Sequence, residues 1–215
     1  TIGPASSSPE ILEQMIMAKK IKATLDRRAV VNKILERRAD ALVVTGLGSS
    51  CYDVGAAGDH PHNFYLWGGM GAAAMLGLGL ALAQPTRQVL VITGDGEMLM
   101  GLGALATIGS QGPSNLAIAV IDNELYSETG MQRTHTSRGV DLAGMARAAN
   151  FARTDTIHTM QQLEAWVPKL YTPAGPAFVA IKVNNARYPL SIRLRDGAHI
   201  KNRLREALLG NAAFD

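Results

Sequence analysis

The stretch "VLVITGDGEM", residues 89–98, decides the fold. Its first four residues form an uninterrupted apolar, mostly β-branched run, the pattern of a strand covered on both faces; a half-exposed strand would alternate apolar with polar positions. Gly94, Asp95 and Gly96 break that run, and helical periodicity follows over residues 97–110. A strand that passes into a helix through an acid set between glycines is half of a βα unit. It puts Asp95 at the carboxyl end of a strand, where open α/β sheets bind their ligands. There the carboxylate and the amides of Gly96 and Glu97 can face one point, which suits a hard cation and a phosphate.

The same grammar recurs on either side. "ALVVTG" (41–46), "NLAIAVID" (115–122) and "AFVAIKV" (177–183) read as further buried strands. Helices are expected over 70–83, 142–149 and 160–170, with a polar one over 198–209. Ser8, Pro9 and Glu10 together mark a helix start, from which helical pattern runs, with breaks, to Arg38. This alternation predicts an α/β fold: a doubly wound, mostly parallel sheet with helices on both faces. The expected organisation is a leader over 1–9, one domain over 10–190 and a helical tail over 191–215.

Composition agrees. Of 215 residues, 47% are apolar and 18% charged, with 22 glycines, the usage of a globular α/β protein. The net charge of +3 is mild. The basic residues between Lys19 and Arg38 alternate with Glu13, Asp26, Glu36 and Asp40, which reads as a solvated face and gives no reason to expect nucleic acid. Cys51 is the only cysteine, which excludes a disulfide framework, a CxxC metal site and a cysteine-held iron–sulfur cluster, and makes a reducing cytoplasm the expected setting. The uncharged run over 64–83 is rich in glycine and alanine, too weakly apolar for a membrane span and expected to be buried. The opening "TIGPASSSP" lacks the charged and apolar regions of a signal peptide.

Asn123 closes the strand after "GDG" on the same rim. A carboxylate and an amide oxygen, completed by a backbone carbonyl, water and phosphate oxygens, form the mixture that magnesium prefers. Asp95 alone would sooner be read as a helix cap. Its combination with Asn123 and with "GGMG" (68–71) is more specific.

"GDG" at 94–96, a spacer running to 122 and then Asn123 resemble the thiamine diphosphate motif. "LWGGMGAAAMLGLGLAL" (66–82) and "NELYSETGMQRTH" (123–135) are similar to the segments on either side of it. The chain is identified as resembling the diphosphate-binding subunit of thiamine diphosphate-dependent 2-oxo-acid decarboxylases, the sulfopyruvate and phosphonopyruvate decarboxylases in particular. The resemblance implies the thiamine diphosphate-binding fold, with thiamine diphosphate and Mg²⁺ as cofactors. Asp95, Asn123 and the carbonyl of Leu125 would bind the metal, and Gly94, Gly96 and Glu97 would face the diphosphate. Met70 would prop thiamine into its bent form, Gly68 would accept from its amino group, Gly69 and Tyr126 would also bind the cofactor, and Tyr126, Glu128 and Thr129 would lie nearest the reacting carbon. Glu128, Thr129 and His135 are the candidate catalytic residues, and His60 and His62 candidates for substrate contact or proton transfer.

Two departures from the family stand out. Asp122 and Glu124 flank Asn123 and would alter the charge of a magnesium site if both faced it. "SETGMQ" (127–132) also differs from the family's usual run, which leaves the 2-oxo acid open. The family further needs a glutamate carried on a pyrimidine-binding domain, for which the stretches before the first strand and after the last are too short. A separate α subunit is therefore expected to supply it, in an α2β2 or larger assembly. A carboligase subunit and a non-catalytic cofactor-binding subunit remain alternatives. Nicotinamide binding at "TGLGSSC" (45–51) is disfavoured because Cys51 replaces the third glycine. With no basic neighbour in sequence, Cys51 is expected to be a small buried residue, and Arg187, Arg193 and Arg195 part of a solvated tail.

Overall fold

A computed structural model describes residues 23–191 and 195–214. The expected leader, the helix start at Ser8, Pro9 and Glu10, and Arg193 lie outside the described residues. The core is a six-stranded, all-parallel sheet: β1 (Leu42–Thr45), β2 (Asn63–Tyr65), β3 (Val89–Gly94), β4 (Leu116–Asp122), β7 (Arg153–Ile157) and β8 (Ala177–Lys182), in the order β2-β1-β3-β4-β8-β7. A two-stranded antiparallel ribbon, β5 (Leu125–Tyr126) and β6 (Gln132–Arg133), sits above the end of β4. The helices are α1 (Arg27–Leu35), α2 (Ser49–Ala56), α3 (Ala73–Ala83), α4 (Asp95–Met100), α5 (Ala104–Gln111), α6 (Leu142–Ala148), α7 (Met160–Leu170) and α8 (Gly197–Leu209).

The four strands read from sequence are the four central ones, and each is apolar throughout because successive side chains enter opposite cores. Leu90 and Ile92 join a cluster with Val30, Ile34, Val54, Leu163 and Trp166, under α1, α2 and α7. Val89 and Val91 join Ala74, Leu78, Ile108 and Ala146 on the other face, under α3, α5 and α6. The glycine and alanine run is packing: a Cβ on Gly77 would lie 2.3 Å from Val91 Cγ2, so α3 lies directly on the sheet.

Three expectations are corrected. The helix expected over 97–110 is two helices, broken at Gly101 to Gly103. The basic face before β1 is only partly solvated: Arg27 is 7% exposed, its Nη1 lies 2.6 Å from Asp53 Oδ2, and Arg38 donates to Asn63 Oδ1 at 2.7 Å. Helix α8 is docked onto the domain through buried Ile200 and Leu204 and an Arg203–Asp59 ion pair of 2.7 Å, while Arg195 lies over the Trp67 ring at 5.5 Å. Among the described residues no helix is long and apolar enough to cross a membrane.

The strand order fixes where a ligand can sit. From β1 the chain moves outward to β2, then returns to the other side of β1 to lay down β3. The crevice above the carboxyl ends of β1 and β3 is therefore a topological switch point, the usual ligand position in open α/β sheets.

Candidate active site

A cavity of about 120 Å³ opens at that crevice. Its lining includes Met70, Gly94, Asp95, Gly96, Glu97, Asn123, Leu125, Tyr126, Glu128 and Thr129, so most of the residues singled out from sequence converge there. Gly68 and Gly69 are exposed beside Met70 and do not line it. His135 is exposed and outside the lining; its neighbours Thr134 and Thr136 are the ones that reach Asp95. His60 and His62 stack edge to face at 5.0 Å just before β2, at the opposite rim of a parallel sheet from the cavity.

Asp95 is the first residue of α4 and is 2% exposed. Its Oδ2 accepts from Thr134 Oγ1 at 2.5 Å and from Thr136 Oγ1 at 3.3 Å. Burial, and after it the nearby Asp122 carboxylate, push its pKa up to about 7, with the two threonine hydroxyls pulling the other way. Register brings Asn123 close, since Gly94 pairs with Ile121 across β3 and β4. The Asn123 amide donates to Ser127 Oγ at 2.8 Å and its oxygen accepts from the Leu125 amide at 3.1 Å. Thr134 N donates to Glu124 O at 3.0 Å, which makes Leu125 and Arg133 a non-hydrogen-bonded pair and leaves the Leu125 carbonyl out of the β5–β6 ladder.

These groups fit a magnesium diphosphate. The donors are one carboxylate, one amide oxygen and one backbone carbonyl, all hard oxygens. Among the described residues no group of three His, Cys, Asp or Glu side chains could hold a metal, so a cation here draws on this mixed set. The floor is open because Gly96 has no side chain: a Cβ there would lie 2.5 Å from the Tyr126 ring.

Glu97 does not face the cavity as a free acid. Its Oε2 accepts from Leu47 N and from Thr93 Oγ1, each at 2.9 Å, and burial raises its pKa against those donors. It pins the turn after β1 to α4. That turn, weighed in the sequence only as a disfavoured dinucleotide loop, opens a helix and joins the site: "GLGSS" (46–50) leads into α2, whose N-terminus has no side-chain cap, and Leu47, Ser49, Ser50 and Arg27 also line the cavity. The signal was a glycine-flanked turn directly after a buried strand, the same grammar as "TGDG". Cys51 lies behind it, between Thr45 Oγ1 at 2.9 Å and Gly46 O at 2.8 Å, its thiol pushed up to about 12 by burial and inert as a nucleophile.

The two acids flanking Asn123 are compensated. Lys182 Nζ lies 2.6 Å from Asp122 Oδ2 and 3.2 Å from Glu124 Oε1. Burial opposes the charge on Lys182, and the two carboxylates outweigh it, so its pKa is raised. A larger cavity of about 580 Å³ lies behind this group, lined by Glu124, Arg133, Ser137, His158 and Lys182. It shares only Asn123 and Leu125 with the crevice at the switch point.

An all-parallel doubly wound sheet with an oxygen donor set and an open glycine floor at its switch point defines a cofactor-binding α/β domain of the diphosphate-holding kind. The chain belongs to the thiamine pyrophosphate enzyme family, matching its C-terminal TPP binding domain over residues 48–181. It is 36% identical to sulfopyruvate decarboxylase subunit beta of Methanothermobacter thermautotrophicus over 77% of this chain and 87% of that one. It is 37% identical to phosphonopyruvate decarboxylase of Streptomyces viridochromogenes over 73% of this chain, but spans only 39% of that relative's length. In fold it is similar to benzoylformate decarboxylase from Polynucleobacter necessarius, with a TM-score of 0.62 at 20% identity, covering 77% of this chain and 34% of that one.

Proposed function

We infer that the chain is the diphosphate- and magnesium-binding subunit of a two-subunit, thiamine diphosphate-dependent decarboxylase acting on a 2-oxo acid, an acidic one such as sulfopyruvate or phosphonopyruvate. The observation that carries this is the meeting of Asp95, Asn123, Leu125, Gly96 and Met70 around one cavity at the switch point. Both named relatives are decarboxylases of such acids.

Asp95, Asn123 and the Leu125 carbonyl would hold Mg²⁺, with the amides opening α2 and α4 turned to the diphosphate. When bound, thiamine diphosphate supplies the electron sink for loss of carbon dioxide. The chain's part is placement. Thr134 and Thr136 orient Asp95, Tyr126 closes over Gly96, and Met70, in the cavity lining, would support the cofactor. Glu128 and Thr129, which line the same cavity, would bind substrate or move a proton. His135, exposed and outside the cavity, has no part in this reading.

The site is half-walled, which supports a partner that adds the activating glutamate. Met70 is 36% exposed and Met100 67% exposed. Their loops are joined where the Gly71 carbonyl touches Gly101. Large exposed methionines beside a cavity mouth suit a protein interface. Met100→Glu is expected to weaken binding of the α subunit about tenfold or more and to leave unfolding of the isolated chain unchanged, as read by calorimetric titration and melting. The function is tested by purifying the chain with and without a pyrimidine-binding partner and assaying sulfopyruvate and phosphonopyruvate for carbon dioxide and aldehyde. Release by the pair alone is expected; full activity of the isolated chain would overturn the two-subunit reading, and product that forms only with an added acceptor aldehyde would mark a carboligase.

Metal affinity should depend on pH. The raised pKa of about 7 means that Asp95 holds a proton below neutrality, and magnesium must displace it. Apparent affinity is expected to fall about tenfold per pH unit below that pKa and to level off above it. Titration calorimetry in buffers of different ionisation enthalpy would register the released proton.

A further inference from the structure

We propose that Lys182 is a positioning residue for the metal, holding both shoulders of Asn123 from the neighbouring strand; this rests on the reading of Asp95, Asn123 and Leu125 as magnesium donors. Lys182 ends β8 directly opposite Asp122, the last residue of β4. Its ammonium reaches Asp122 Oδ2 at 2.6 Å and Glu124 Oε1 at 3.2 Å, one acid on each side of Asn123. Asp122 passes the constraint on: its Oδ1 accepts from the Glu124 amide at 3.1 Å and from Thr136 Oγ1 at 2.8 Å. The Thr136 and Thr134 hydroxyl oxygens lie 2.9 Å apart, and both reach Asp95 Oδ2. One cation thereby ties β8 to the Asn123 turn directly and to Asp95 through Asp122 and Thr136.

The turn has a reason to need holding. Glu124 adopts φ 64, a left-handed conformation that residues other than glycine rarely occupy and that persists only where the surroundings over-determine it. Here three contacts do so: Lys182 on its carboxylate, Asp122 on its amide and Thr134 N on its carbonyl. The strained residue lies between the two donors of the turn, Asn123 and Leu125. Relaxing Glu124 would rotate both.

Positioning and simple charge make opposite predictions. Removing a cation beside a magnesium site strengthens metal binding by Coulomb attraction, whereas loosening the turn weakens it. The discriminating variant is the double substitution Lys182→Met with Asp122→Asn. It leaves the net charge unchanged, avoids a buried uncompensated carboxylate, and lets the residue at 122 still accept from Thr136. In the assembled complex with saturating thiamine diphosphate, Mg²⁺ titrated calorimetrically is expected to bind about tenfold more weakly to this variant. kcat at saturating Mg²⁺ should stay within about twofold, and Lys182→Arg should restore most of the affinity.

Mg²⁺ affinity of the double variant within twofold of the parent, or tighter binding by Lys182→Met alone, would overturn the proposal. Asp95→Asn runs alongside as the control for the donor assignment. If it too keeps Mg²⁺ affinity, the metal reading fails as a whole; if it alone loses affinity, only the role of Lys182 fails.

Discussion

Asp95→Asn is expected to abolish Mg²⁺-dependent thiamine diphosphate binding and to lower activity of the assembled enzyme by about a thousandfold or more, while making the cofactor-free chain more stable at alkaline pH. The first effect follows from the donor set. Asp95 is its only carboxylate, and an amide neither neutralises the cation nor binds it comparably. The second follows from burial: its pKa is raised to about 7, so ionisation is disfavoured in the folded state relative to the unfolded one. A carboxylate shifted in that direction costs stability progressively as pH rises from its unfolded to its folded value, and the full cost remains above that. The neutral amide escapes this cost and can still accept from Thr134 and Thr136. Melting of the cofactor-free variant about 5 °C or more above the parent at pH 8, with the gap closing at pH 5, is the expected signature. Equal melting temperatures at both values would show that the carboxylate is not strained, and retained Mg²⁺ affinity would remove it from the metal site. The expected result would mean that function is held against stability at this residue, as is common where a buried charge awaits a ligand.

Gly46→Ala is expected to be strongly destabilising. A Cβ there would lie 1.7 Å from Glu97 Oε2 and 2.5 Å from Thr93 Oγ1, in the contact that pins the turn after β1 to α4. Glu97 is buried and cannot swing into solvent. Either the turn moves or the carboxylate loses its two donors, Leu47 N and Thr93 Oγ1. Overpacking of this kind costs about 1–3 kcal/mol, and stranding a buried carboxylate adds to it. A fall in melting temperature of roughly 6–12 °C is expected. The turn carries Leu47, Ser49 and Ser50, so cofactor affinity should fall as well. A variant that melts and binds like the parent would show that the turn and α4 are not coupled through Glu97.

The central sheet was legible because its strands are buried on both faces, and uninterrupted apolar runs announce that. β2 and β7 were not, because they are edge strands paired on one side only: "RTDTI" (153–157) keeps polar and half-exposed positions that imitate a loop. The helix α2 was missed since its start is marked by backbone and small residues, with no side-chain cap to signal it. Of the candidate site, Asp95 and Asn123 could be named because glycine context and spacing place them at strand ends. Arg27 could not, since alternating charges on a helix look the same whether one of them is buried against Asp53 or all are solvated.

From its order of residues alone, the chain determined the strands that form the sheet, the rim on which Asp95 and Asn123 stand, and the kind of ligand that oxygen donors beside glycine would accept. Strand order is information that local periodicity does not carry, and it alone set β1 beside β3, bringing the turn at 46–50 against "GDG". Cross-strand register likewise placed Lys182 opposite Asp122, some 60 residues away in sequence. The two acids that looked, in sequence, like an excess of negative charge thereby share one ammonium. Charges distant along a chain acquire partners only when backbone pairing fixes which side chains share an edge.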